Sequence, residues 1–234
     1  MMAEICGKMF LNGEDQLTGD VFGALRYVDE HCGLIPILKS SYFLGANWET
    51  NYLKFSYPKI ESIRFWPWTG EAEPDLLVEM TEKGSDEKPD MLTVISIEIK
   101  YNSGLSAKDQ LIRQMRGMKD KYPDYRRIQI YLTAEIAYPV EILSKNKIEA
   151  DRLGLGAEIY WLSWHDLPSI LNQNKNHLSA NEKLVISDII SLLDRKGFGR
   201  FSKVDIPSGW KSLNFVNFYL LDAPKPSCLP AIKT

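Results

Sequence analysis

Apolar residues recur along this chain in two rhythms, and the rhythm at each place predicts an element. In residues 14–32, Leu17, Val21, Ala24, Leu25 and Val28 fall on one helical stripe. Residues 35–57 mix both rhythms and receive no assignment. Residues 61–68 are aromatic and β-prone, and 74–80 (PDLLVEM) reads as a strand. Residues 81–90 (TEKGSDEKPD) are polar, with Gly and Pro, and read as a turn. The strongest strand is 91–101 (MLTVISIEIKY), rich in β-branched residues. Two strands around a short loop imply an antiparallel hairpin. A helix is expected over 106–121, with Ala107, Leu111, Met115 and Met118 as its stripe. Then follow a strand at 127–133, a helix at 140–152 and a strand at 158–164. His165-Asp166 opens a short helix with Asp166 as N-cap. The helix at 181–196 runs through Leu184, Val185, Ile189, Leu192 and Leu193. The tail from Phe198, rich in aromatics and Pro, is not assigned. This order implies an α/β fold, with a central mixed sheet flanked by helices.

Composition narrows the class. The 234 residues suit one large domain, and 44% hydrophobic with 25% charged residues is an ordinary globular mixture. A net charge of −3 means that any contact with nucleic acid needs a local basic patch. Cys6, Cys32 and Cys228 are odd in number and form no CxxC pair. They argue against a disulfide scaffold or zinc ribbon and fit a reducing compartment. The first ten residues lack the apolar run of a signal peptide, and no stretch of about 18 apolar residues occurs. A cytoplasmic protein without membrane partners is expected. GxSxG, HExxH and P-loop motifs are absent.

The chemistry concentrates at Pro74-Asp75 and Glu98-Ile99-Lys100, with 22 residues between Asp75 and Glu98. Side chains alternate along a strand, so Ser96, Glu98 and Lys100 share one face and Ile95, Ile97 and Ile99 the other. The isoleucine face belongs to the core. The opposite face would carry a carboxylate and an ammonium about 6–7 Å apart along the strand. Charges on so apolar a strand need compensation, and a hard divalent cation supplies it. Phosphodiester cleavage uses such a cation to acidify water and neutralise phosphate charge. Asp75 and Glu98 would give two metal oxygens and the Ile99 carbonyl a third. Lys100 would orient or deprotonate the water, or stabilise the transition state. Asp86-Glu87-Lys88 and Asp194-Arg195-Lys196 carry the same acid-x-Lys triplet, but in a polar loop and at a helix end.

A Pro-Asp strand, then an acid-x-Lys strand, then a helix resembles the PD-(D/E)XK nuclease superfamily, with its restriction-endonuclease-like fold. The resemblance covers roughly residues 14–164. It implies a nuclease-like core over 1–177 and a helical, irregular C-terminal extension over 178–234 packed on the same domain. It implies Mg²⁺ or Mn²⁺ as cofactor and an acid on the first helix, for which Glu14 matches best and Asp15 and Asp20 come next. It also implies a Gln on the helix after the Glu-x-Lys strand. Gln110 and Gln114 both qualify, and Gln110 is the better match. The Tyr that a RecB-like member would carry four residues after that Gln is missing. The function implied is metal-dependent hydrolysis of nucleic acid, DNA ahead of RNA. The alternative is a catalytically silent module of the same fold that binds nucleic acid or a protein partner. A homodimer or a partner subunit is compatible with either.

Other groups have plainer readings. Arg113, Arg116, Lys119, Lys121, Arg126 and Arg127 form a basic cluster that reads first as a solvated face and second as a phosphate grip. Ser103-Gly104 reads as a turn before it reads as a phosphate cradle. His165 and His177 lack partners at ligand spacing, and adjacent His31-Cys32 make no convincing dyad. Phe65-Trp66-Pro67-Trp68 reads as packing before base stacking.

Overall fold

Val94, Ser96 and Glu98 alternate with Ile95, Ile97 and Ile99, and both sets are buried. A strand covered on both faces must lie inside a layered sheet. The structure is a computed structural model, and it describes residues 13–45, 47–84, 89–101 and 103–199. Helices α1 (Gly13–Leu25) and α2 (Leu34–Lys39) precede strands β1 (Tyr42–Leu44), β2 (Thr50–Tyr52), β3 (Pro58–Phe65), β4 (Leu76–Glu82) and β5 (Met91–Ile99). Then come α3 (Gln110–Lys121), β6 (Arg126–Thr133), α4 (Val140–Arg152), β7 (Ala157–Ser163), α5 (Leu167–Asn174) and α6 (Ala180–Arg195). Among the described residues the strands make one mixed seven-stranded sheet in the order β2-β1-β7-β6-β5-β4-β3. The β4–β5 hairpin is antiparallel, while β5, β6 and β7 run parallel through the helical crossovers α3 and α4.

One core lies between the sheet and helices α1, α2, α5 and α6. It joins Leu17, Val21 and Phe22 to Val78, Ile95, Ile97, Ile130, Leu132, Ile186 and Leu193. The second lies under α3 and α4 and joins Leu77, Val94, Leu111, Met115, Met118, Tyr131, Leu143 and Trp161. The polar side of β5 belongs to this second layer. No helix among the described residues is long and apolar enough to cross a membrane.

Several bounds differ from the periodicity, each for a local reason. The first helix stops at Leu25, where the Tyr27 and Val28 N–H groups turn to the carbonyls three residues back, Ala24 and Leu25, at 3.1 and 3.2 Å. The helix expected from 106 starts at Gln110, whose Oε1 accepts the Ser106 N–H at 2.9 Å and holds the preceding segment as a loop. Asp166 precedes α5 but makes no side-chain cap bond; Ser163 Oγ accepts the His165 N–H instead. Residues 35–57 hold α2 and the short strands β1 and β2, too brief to set up a period.

Gly117 on α3 lets the loop before Asp75 lie against the helix. A Cβ there would stand 2.3 Å from Thr69 Oγ1 and 3.1 Å from the Thr69 carbonyl oxygen. Thr69 cannot easily give way, since its hydroxyl donates to the Ala72 carbonyl at 2.7 Å. Alanine gains about 1 kcal/mol of helix propensity, but overpacking costs about 1–3 kcal/mol. Gly117→Ala is expected to lower stability in a urea melt, and a gain would show that the contact relaxes freely.

Candidate functional site

The end of the β4–β5 hairpin places Asp75. The ladder registers Leu76 with Ile97, so Asp75 stands one step beyond, beside Glu98. Its backbone is tied on the other side, where its carbonyl accepts the Trp66 N–H at 3.0 Å. Its Oδ2 accepts the Ile99 N–H at 2.7 Å, so the carboxylate takes a main-chain donor of β5. Its Oδ1 accepts no hydrogen bond among the described residues.

Glu98 is 1% exposed. Gln110 Nε2 donates to its Oε1 at 2.6 Å and Gln114 Nε2 donates to its Oε2. Both candidate glutamines therefore serve the same carboxylate, one turn apart on α3, and no choice between them is needed. Lys100 Nζ lies 2.7 Å from Glu98 Oε1. The pair is thus in direct contact, closer than the strand spacing of their backbones. Lys100 Nζ also donates to Glu14 Oε1 at 3.1 Å. Glu14 Oε2 accepts the Tyr101 N–H at 2.9 Å and the Ser103 hydroxyl at 2.8 Å. Glu14 thereby reaches from α1 across the carboxyl end of β5, where ligands of α/β sheets commonly sit.

Two carboxylates, Glu98 and Glu14, thus contact one ammonium, and Asp75 acts on it from farther off. Burial, then the neighbouring Glu98 charge, pushes Asp75 up to about 8, against the pull of the Ile99 N–H and Lys100. Burial also raises Glu98, opposed by Lys100 and Gln114. For Lys100, burial alone would lower the value. The Glu98 carboxylate, with Asp75 and Glu14 behind it, overrides burial and holds the ammonium above the ordinary lysine range. Among the described residues no three His, Cys, Asp or Glu side chains are already arranged to hold a metal ion. Lys100 stands between Glu98 and Glu14 instead. The donor chemistry nevertheless fits a hard divalent cation, since the charged donors are all carboxylates, with an excess of buried negative charge and an open Asp75 oxygen.

Four members of the basic cluster are engaged within the chain. Arg126 pairs with Glu158 at 2.6 Å and Glu82 at 3.1 Å. Arg127 donates to the carbonyls of Tyr122, Pro123 and Tyr125. Lys119 donates to the Gly154 carbonyl at 3.0 Å, and Arg113 faces Asp109 at 3.8 Å. These cations hold loops and strand ends together. Trp66 is buried and Trp68 exposed, so the aromatic run is divided between core and surface. His165 packs edge-on against Phe198. Ser103 belongs to the site through its hydroxyl. Cys6, Cys228 and residues 200–234 of the C-terminal extension lie outside the described residues. Gln129 and Ser96, which touch Gln114, join the site without having been singled out as functional.

No family model matches the chain. No curated protein matches it. Among solved structures, the Cap4 SAVED/CARF-domain-containing receptor of Acinetobacter baumannii, determined with the cyclic trinucleotide 3'3'3'-cAAA, aligns with 82% of this chain at 14% identity and a TM-score of 0.34. The aligned part is 45% of that receptor's chain, so this chain spans less than half its length. A likeness at that score carries no argument about this chain.

Proposed function

We propose that this chain is a metal-dependent nuclease of the PD-(D/E)XK kind, hydrolysing nucleic-acid phosphodiesters, with DNA as the first substrate to test. The observation that supports the reading is the meeting of Glu14, Asp75, Glu98 and Lys100, from three separate parts of the chain, at the carboxyl end of β5. Asp75 and Glu98 would hold Mg²⁺ or Mn²⁺, with Glu14 and the Ile99 carbonyl as further oxygen donors. When bound, such a cation acidifies water and neutralises phosphate charge. Gln110 and Gln114 hold Glu98 as an acceptor. Lys100 is kept charged by its partners, so it acts as a hydrogen-bond donor that orients the attacking water and stabilises negative charge.

The test is incubation with supercoiled and linear DNA, and with RNA, in Mg²⁺, Mn²⁺ or EDTA, with Lys100→Ala alongside. Cutting that needs the metal and falls about 10²–10⁴-fold in the variant is expected. Cutting in EDTA, or cutting indifferent to the variant, would contradict the mechanism. Binding without cutting in any metal would favour the silent module.

A further inference from the structure

Gln129 is fully buried on β6, between Ile128 and Ile130, on the sheet face that carries Ser96 and Glu98. Its Nε2 donates to Gln114 Oε1 at 2.9 Å, and the Ser96 hydroxyl donates to the same oxygen at 3.4 Å. That leaves Gln114 Nε2 to face Glu98, which it does. An amide offers donors from one end and an acceptor from the other. Gln129 is held in this sense because its Nε2 also donates to the Ile130 carbonyl at 3.3 Å, so a reversed Gln114 would set its oxygen against the Glu98 carboxylate and its NH₂ against that of Gln129, two repulsive contacts in place of two attractive ones. Gln110 is fixed in the same sense by a different element, since its Oε1 is held by the Ser106 N–H. Packing alone does not explain a glutamine at 129. The strand is otherwise apolar here, and Gln129 Oε1 has no hydrogen-bond partner among the described residues, an arrangement that a leucine or methionine would avoid.

We infer that Gln129 is a positioning residue of the site: it locks the Gln114 amide in the one orientation that presents a donor to Glu98, and so sets that carboxylate for a cation. The part concerning the cation rests on the proposed function. The relay from Gln129 through Gln114 to Glu98 does not. Supporting groups of this kind shift metal affinity by about 10–100-fold when removed.

The test uses the full chain, labelled with ¹³C and ¹⁵N and freed of metal. A scalar coupling across the hydrogen bond from Gln129 Nε2 to the Gln114 side-chain carbonyl carbon is expected, and its absence overturns the inference. This measurement needs no variant. In Gln129→Met, which keeps the volume, the Gln114 side-chain amide signals should shift. Mn²⁺ affinity, read by paramagnetic resonance, should fall about 10–100-fold. A purely structural glutamine would lower the melting temperature and leave Mn²⁺ affinity where it was, and that result also overturns the inference. Should the wild type bind no Mn²⁺, the proposed function fails while the coupling still decides the relay.

Discussion

Lys100→Met is expected to destabilise the metal-free protein by about 3–5 kcal/mol, although methionine fills much the same space and is more apolar. The lysine side chain is 8% exposed and lies 2.7 Å from Glu98 and 3.1 Å from Glu14. Removing one partner of a buried ion pair leaves the other charge with neither water nor a counter-ion, which costs more than the pair itself contributes. Because the folded value of Lys100 lies above its unfolded one, its contribution is fully present below the unfolded value and is lost only as pH rises through the folded value. The loss in Lys100→Met should therefore be visible across the whole neutral range. Urea melts in EDTA measure it. Glu98→Gln in the same background should recover a large part of the loss, because the uncompensated charge is then gone. A single variant within about 0.5 kcal/mol of wild type would mean that the cluster is solvated and the ion pairs are of the weak surface kind.

Asp75→Asn should do the reverse, stabilising the metal-free protein while abolishing cleavage. Asparagine keeps an oxygen to accept the Ile99 N–H and removes a charge that burial and Glu98 both oppose. The pH dependence follows from the direction in which the fold moves this carboxyl. A carboxyl raised in the folded state favours folding fully below its unfolded value near 3.8, and that advantage drains away as pH rises through about 8. The variant does not titrate there, so its margin over wild type should be small near pH 4 and greatest at pH 8 and above. Each tenfold weakening of the acid corresponds to about 1.4 kcal/mol, and because Asp75 and Glu98 share their protons the margin should reach only on the order of 2–4 kcal/mol. Thermal melts of both proteins across this range, in EDTA, measure it. A margin that shrinks with rising pH would show that Asp75 is an ordinary ionised surface acid. A site that sacrifices stability for excess like charge is expected where function needs that charge.

Much of this arrangement was legible in the sequence, and the boundary has physical causes. Residues 91–101 announce their strand through period-2 alternation of β-branched residues, and that alternation puts Glu98 and Lys100 on one face without any tertiary information. Asp75 is also readable, since a hairpin with so short a loop brings the start of one strand to the end of the next. Glu14 is readable only through the resemblance. Its reach to Lys100 depends on how α1 lies across the sheet, a packing matter that no local pattern encodes. Gln129 carried a signal that was easy to pass over, a single uncharged polar residue inside RIQIYLT in a strand buried on both faces. Two members of the basic cluster, Arg126 and Arg127, have partners that the chain order does not reveal. Proximity along the chain put Arg126 and Arg127 beside Lys119, whereas the fold commits them to Glu158, Glu82 and main-chain carbonyls. Residues 35–57 resist reading because strands of three residues are shorter than the period needed to recognise them.

The proposed chemistry depends on the acids of this cluster forming a seat for a divalent ion. A crystal of the wild-type protein soaked in Mn²⁺, with data collected at the manganese edge, examines that seat directly. The expected result is an anomalous peak within bonding distance, about 2.0–2.3 Å, of both Asp75 and Glu98 oxygens. Lys100 should also release Glu98 or Glu14 as the ion enters. A fully loaded crystal with manganese elsewhere, and Lys100 still seated between the two glutamates, would contradict the proposal.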